Sequence, residues 1–123
     1  MKYLLDTYAL LWWLSDDEQL FADARDIIGD LNNDIYVSAA SAWEISTKFA
    51  RGCLPGASLM LPDFAGVFLQ EGFLELPINS AFMVRSAMLP GHHRHPFDRI
   101  LAAKSLLDNM ALIARKSGVS GKT

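Results

Sequence analysis

Apolar and polar positions follow two different periods, and segments of the two kinds alternate along the chain. Short segments in which nearly every residue is apolar, aromatic or β-branched predict buried strands. These segments cover residues 3–5, 35–38, 73–76 and 110–114. Segments with apolar residues three or four positions apart predict helices. They cover residues 7–14, 21–32, 41–49, 63–71, 80–88 and about 96–107. Because strands that are apolar throughout are covered on both faces, this alternation predicts an α/β fold with a central parallel sheet.

Composition and charge narrow the class of protein. The 123 residues are 51% hydrophobic, which is typical of a globular domain with an ordinary core. The net charge of −3 argues against a protein that follows a long nucleic acid by electrostatics alone. The net charge does not exclude binding of a phosphate through a metal ion. The only cysteine is Cys53, which excludes an intrachain disulfide and a thiolate zinc cluster and fits the reducing cytoplasm.

The two ends of the chain need separate interpretation. The apolar segment at the N-terminus is interrupted by Asp6 and followed by acidic residues 16–18, so it does not fit a signal peptide. No segment has the length of a membrane span, and we expect a soluble, cytoplasmic protein with no membrane association. No repeat or linker interrupts residues 1–116, which we take as one domain. Residues 117–123 are polar and predict a flexible tail.

Three acidic residues are expected at one edge of the predicted sheet. Asp6 directly follows the first strand, and Glu44 lies in the first turn of the helix after the second strand. Asp98 lies in the first turn of the helix that Pro96 opens. In open α/β sheets, ligands bind beyond the carboxyl ends of the strands. The three acids are therefore candidates for a shared site there.

Each acid also has a structural explanation, which is preferred when the residue is taken alone. Asp6 is a suitable helix cap, and Asp98 is favoured by the positive end of a helix dipole. Glu44 either completes a capping box with Ser41 or forms a surface ion pair with Lys48. The three acids taken together favour a metal site. Neighbouring carboxylates repel one another, and a hard cation such as Mg²⁺ or Mn²⁺ relieves that repulsion. Such an ion activates water and stabilises charge on a phosphoryl group, which is the chemistry of a metal-dependent nuclease.

Three segments resemble, in order, the motifs of PIN-domain proteins and, more narrowly, of VapC-type toxins from bacterial toxin–antitoxin pairs. They are LLDT and LLWWL at residues 4–7 and 10–14, VSAASAWEI at residues 37–45, and HPFDRILAA at residues 95–103. The resemblance extends from residue 1 to about residue 113. It implies an α/β/α sandwich and Mg²⁺- or Mn²⁺-dependent cleavage of RNA, with Asp6, Glu44 and Asp98 as the metal ligands. It also implies an antitoxin that blocks the site, and a homodimer.

The chain departs from this family pattern near its end. The family has a further acid after the fourth strand, where Lys116 stands here, and a closing strand that we expect to be missing. A three-acid site is expected to hold one metal ion better than a second. The alternative function is therefore a catalytically degenerate PIN-like module that pairs with an antitoxin or with itself. Arg94, Arg99 and Thr7 are candidate RNA contacts by position, although plain surface charge explains the two arginines about as well.

Overall fold

The computed structural model describes residues 1–88, 96–114 and 118–120, without the side chains of residues 55, 59, 96–98 and 118–120. Within these ranges the strands are β1 (Lys2–Leu5), β2 (Asp34–Ser38), β3 (Leu74–Leu76), β4 (Ala111–Ala114) and β5 (Gly118–Ser120). The α-helices are α1 (Thr7–Ser15), α2 (Ala22–Gly29), α3 (Ala39–Ala50), α4 (Phe64–Glu71), α5 (Ser80–Met88) and α6 (Pro96–Leu107). Two short 3₁₀ helices, Pro55–Leu59 and Leu61–Asp63, lie in the segment between α3 and α4.

The strands form one sheet in the order β3-β2-β1-β4-β5. The first four run parallel, and Leu5 of β1 pairs with Val37 of β2 on one side and with Ile113 of β4 on the other. The carboxyl ends of β1, β2 and β4 therefore lie side by side at one edge, which we call the carboxyl edge. The predicted α/β fold with a central parallel sheet is confirmed.

The strand β5 corrects the expectation that the closing strand is missing. It pairs antiparallel with β4, with Val119 opposite Ile113. Residues 118–120, which the polar composition placed in a flexible tail, are therefore part of the sheet. A strand of three residues with one apolar side chain is too short to show a periodic pattern. Lys116, at the position of the missing fourth acid, lies outside the described residues.

Helices cover both faces of the sheet. The larger apolar cluster packs alternate residues of the strands, such as Leu5 and Val37, against α1, α2, α4 and Ile45 of α3. On the opposite face Leu4 packs against Leu101 of α6, in a cluster completed by Leu76 and Met110. The fold is thus the predicted α/β/α sandwich. No helix in the described ranges is both long enough and apolar enough to cross a membrane.

The helix α3 begins two residues earlier than its apolar pattern predicts. Ser38, the last residue of β2, accepts a hydrogen bond from the backbone N–H of Ala40 at 3.0 Å and caps the helix directly. The chain therefore passes from strand to helix without a linking loop. The cap satisfies one of the backbone donors that a helix start leaves unpaired, in a place where water is excluded because Ser38 is fully buried.

Candidate metal-binding site

Asp6 lies at the carboxyl edge and begins α1. Its backbone N–H continues the pairing of β1 with β4 by donating to the carbonyl oxygen of Ile113 at 3.0 Å. Its side-chain Oδ1 accepts a hydrogen bond from the N–H of Ala9 at 2.7 Å, so the helix-cap explanation is confirmed. The residue is only 8% exposed. Capping holds the carboxylate in one orientation at the edge, and a metal-binding role remains compatible with this.

Glu44 is buried at the interface of α3 with α1. It is the sixth residue of α3, a turn further into the helix than predicted, and is 3% exposed. Because Ser38 is the cap, the capping box between Ser41 and Glu44 is wrong. The hydroxyl of Thr7 donates to Glu44 Oε1 at 2.6 Å, and Thr7 Oγ1 also lies 3.1 Å from Ser41 Oγ. Thr7, next to Asp6 in the chain, thereby connects the starts of two helices.

Lys48 closes the other side of the Glu44 carboxylate. Its Nζ donates to Glu44 Oε2 at 2.6 Å, lies 3.5 Å from the hydroxyl of Tyr8, and is 5.3 Å from the centre of the Tyr8 ring. Burial by itself lowers the pKa of Lys48, but the hydrogen bond and the charge of Glu44, with a smaller contribution from Tyr8, raise it overall above 10.5. The predicted ion pair is confirmed, but its carboxylate is buried and not on the surface.

Small polar side chains surround these acids. Among the described residues, seven polar or charged residues are buried, and five of them are at the carboxyl ends of β1 and β2 or in the helices that follow. The five are Asp6, Thr7, Ser38, Ser41 and Glu44. Sequence reasoning missed Ser38 and the contact between Thr7 and Glu44. The signal for Ser38 was available, because serine is a preferred helix cap and Ser38 directly follows the apolar residues of the second strand.

The backbone brings the start of α6 to the same edge. This helix leads into β4, which is parallel to β1, so α6 runs back along the sheet from the carboxyl edge. Near its start, Ile100 packs in one cluster with Ala40 of α3. Asp98 is the third residue of α6, but its side chain lies outside the described residues. The prediction that it completes the site therefore stays a prediction.

The three candidate RNA contacts differ in whether the structure describes them and in how buried they are. Arg94 lies outside the described residues, and Arg99 is half-buried in the first turn of α6. Thr7 is 2% exposed, and its hydroxyl proton is donated to Glu44. This hydrogen bond orients the Glu44 carboxylate, and contact of Thr7 with RNA stays a prediction.

The ligand atoms offered by the described residues suit a hard divalent cation. Asp6 and Glu44 both offer carboxylate oxygens, which Mg²⁺ and Mn²⁺ prefer. Each Glu44 oxygen accepts one hydrogen bond and has a further lone pair, because a carboxylate has about four acceptor sites. Within the described side chains, no group of three or more His, Cys, Asp or Glu residues is close enough to hold a metal ion. The third predicted ligand, Asp98, is not among the described side chains.

Comparisons with known proteins agree with this architecture. A structural comparison finds a chain of VapBC2 from Rickettsia felis, solved bound to a DNA fragment from their promoter, with a TM-score of 0.56 and 14% identity. The similarity covers 91% of this chain and 85% of that chain. A comparison with curated protein sequences gives no match. The PIN domain family matches residues 3–117, from the second residue of β1 to beyond β4. That match spans nearly the whole sheet and the helices on both its faces, and the chain therefore belongs to the PIN domain family.

Proposed function

We propose that this protein is a metal-dependent endoribonuclease and the toxin of a toxin–antitoxin pair. The observation that carries the proposal is the burial of two carboxylates, Asp6 and Glu44, where two adjacent parallel strands end. Thr7 directly follows Asp6 and its hydroxyl contacts Glu44, so the two acids stand near one another, and neighbouring carboxylates favour a divalent cation. The backbone of Asp98 lies in the first turn of α6, the helix that starts from this same edge. Together with the family, this favours hydrolysis of a phosphodiester over a purely structural role.

In this proposal Asp6, Glu44 and Asp98 hold Mg²⁺ or Mn²⁺. The ion would supply an activated water molecule and stabilise negative charge on the phosphate. The chain contributes orientation. The helix cap fixes Asp6, and the hydroxyl of Thr7 fixes one oxygen of Glu44. We place Arg94 and Arg99 as phosphate contacts, since both stand close to Asp98 in the sequence.

The partners follow from the same reasoning. The similar Rickettsia felis chain belongs to a VapBC2 assembly, which supports a cognate antitoxin as the partner of this chain. We propose cytoplasmic RNA as its substrate and a homodimer as its oligomeric state. The competing proposal is a degenerate module that binds an antitoxin or itself without catalysis. Lys116, at the position of the fourth family acid, and the ion pair already present on Glu44 favour that alternative.

The test compares the wild type with Asp6→Asn on a fluorescently labelled RNA that contains paired and unpaired segments. Asparagine caps helices as well as aspartate, so α1 is expected to stay intact while a charged ligand is lost. We expect Mn²⁺-dependent cleavage by the wild type and a loss of at least about a hundredfold in the variant. Cleavage that is undiminished in Asp6→Asn contradicts the site. Tight antitoxin binding without metal uptake or cleavage selects the degenerate module.

A further inference from the structure

We propose that the ammonium group of Lys48 competes with the divalent cation for Glu44, so that Lys48 sets how tightly the site binds metal. This inference rests on the proposed function, because it assumes that Glu44 is a metal ligand. It adds a residue that no motif marks as part of the site. Its role is to tune the affinity of the site for metal, without contact to the substrate.

The contacts around Lys48 hold its charge close to the acid. Its Nζ is 2.6 Å from Glu44 Oε2, and the Tyr8 ring and hydroxyl contact it on another side. Only 21% of the Lys48 side chain is exposed, against 5% for Glu44. An ion pair this well shielded from water interacts more strongly than a surface pair.

The same contacts compensate for the burial of the Glu44 carboxylate. A buried carboxylate needs compensation, and Lys48 and Thr7 provide it as a charge and a hydroxyl donor. A divalent cation that binds Glu44 comes close to the positive charge of the Lys48 ammonium group. Part of its attraction to the carboxylate is then offset by repulsion from the ammonium group. The metal affinity of the site is expected to be weaker than that of the same acids without Lys48.

A second lysine provides a matched control. Lys104, in the last turn of α6, forms an i,i+4 pair with Asp108 at 3.3 Å and lies 4.6 Å from the centre of the Phe82 ring. It thus repeats the acid and the aromatic contact of Lys48. Lys104 is six residues past Asp98, about 9 Å further along the helix axis. Removing its charge changes the net charge of the protein equally but at a greater distance from the site.

The experiment measures Mn²⁺ binding to the full chain by electron paramagnetic resonance of the unbound ion. The variants are Lys48→Met, Lys48→Arg, Lys104→Met and Asp6→Asn, each checked for folding by circular dichroism. We expect Lys48→Met to lower the Kd for Mn²⁺ at least about tenfold, Lys48→Arg to leave it within about threefold, and Lys104→Met to do the same. Mn²⁺ is also expected to raise the unfolding temperature of Lys48→Met more than that of the wild type.

The outcomes separate this inference from the proposed function. If Lys48→Met binds Mn²⁺ as the wild type does, or more weakly, while Asp6→Asn loses binding, Lys48 does not compete and the metal site stands. If the wild type and Lys48→Met do not bind Mn²⁺, or if Asp6→Asn binds it as tightly as the wild type does, the metal site itself is wrong. If Lys48→Met does not fold, Lys48→Gln decides, because its amide can still donate to Glu44 without carrying charge.

Discussion

Replacing Thr7 by valine tests the contact that joins α1 to α3. The change removes the hydroxyl but keeps the branched shape, and leaves Glu44 Oε1 buried without its 2.6 Å donor. Hydrogen bonds to charged groups contribute about 1.5–3 kcal/mol, and an unsatisfied buried acceptor costs a similar amount. We therefore expect Thr7→Val to lower the free energy of unfolding by about 2 kcal/mol. For a domain of this size the unfolding temperature should fall by roughly 6–12 °C.

The measurement is urea unfolding followed by tryptophan fluorescence, with Thr47→Val as the matched control. Thr47 lies half-buried in α3, and its hydroxyl contacts only backbone carbonyl oxygens, that of Trp43 at 2.9 Å and that of Glu44 at 3.1 Å, and not the Glu44 carboxylate. Its replacement should change the free energy of unfolding by less than about 0.5 kcal/mol. Equal small effects of the two substitutions would refute the argument that Thr7 supports a buried charge. In a Glu44→Gln background, the effect of Thr7→Val should shrink toward the value for a neutral hydrogen bond, about 1 kcal/mol.

Two further predictions concern the cap and the core. Asp6→Ala should lower the free energy of unfolding by about 1 kcal/mol through loss of the helix cap, whereas Asp6→Asn should leave it nearly unchanged. Equal losses in urea unfolding would show that the charge of Asp6, and not its capping oxygen, stabilises the fold. Leu5→Ala should cost about 2–5 kcal/mol, because Leu5 is fully buried in the larger cluster between the sheet and α1. A calorimetric loss below 1 kcal/mol would contradict the packing described here.

The parallel sheet and its carboxyl edge are predictable because each depends on local signals. Continuous apolar runs mark the strands β1 and β2, and each is followed at once by a polar residue that can cap a helix. The order of these signals is enough to place Asp6 at a strand end. The position of Glu44 near that edge follows from the next strand and helix in the same way.

The partners of Glu44 are not predictable in this way. Its contact with Thr7 joins residues 37 positions apart, and its existence depends on how α1 packs against α3. The start of α3 depends on which of two serines caps the helix, and a hydrophobic pattern does not distinguish them. Ser38 and Ser41 are both acceptable caps by residue type, and the structure uses Ser38 because β2 ends there. That difference of three residues moves Glu44 from the first turn into the buried second turn.

The outer strand β3 has a consequence for how copies of this protein behave at high concentration. The sheet order leaves one side of β3 without a neighbouring strand among the described residues. The strand is only three residues long, carries an exposed Glu75, and is followed directly by Pro77. A short, charged edge strand that is followed by proline is a poor template for the pairing of a strand from another chain. The outer side of β3 should thus not seed fibrils when the protein is concentrated, despite a composition rich in apolar residues.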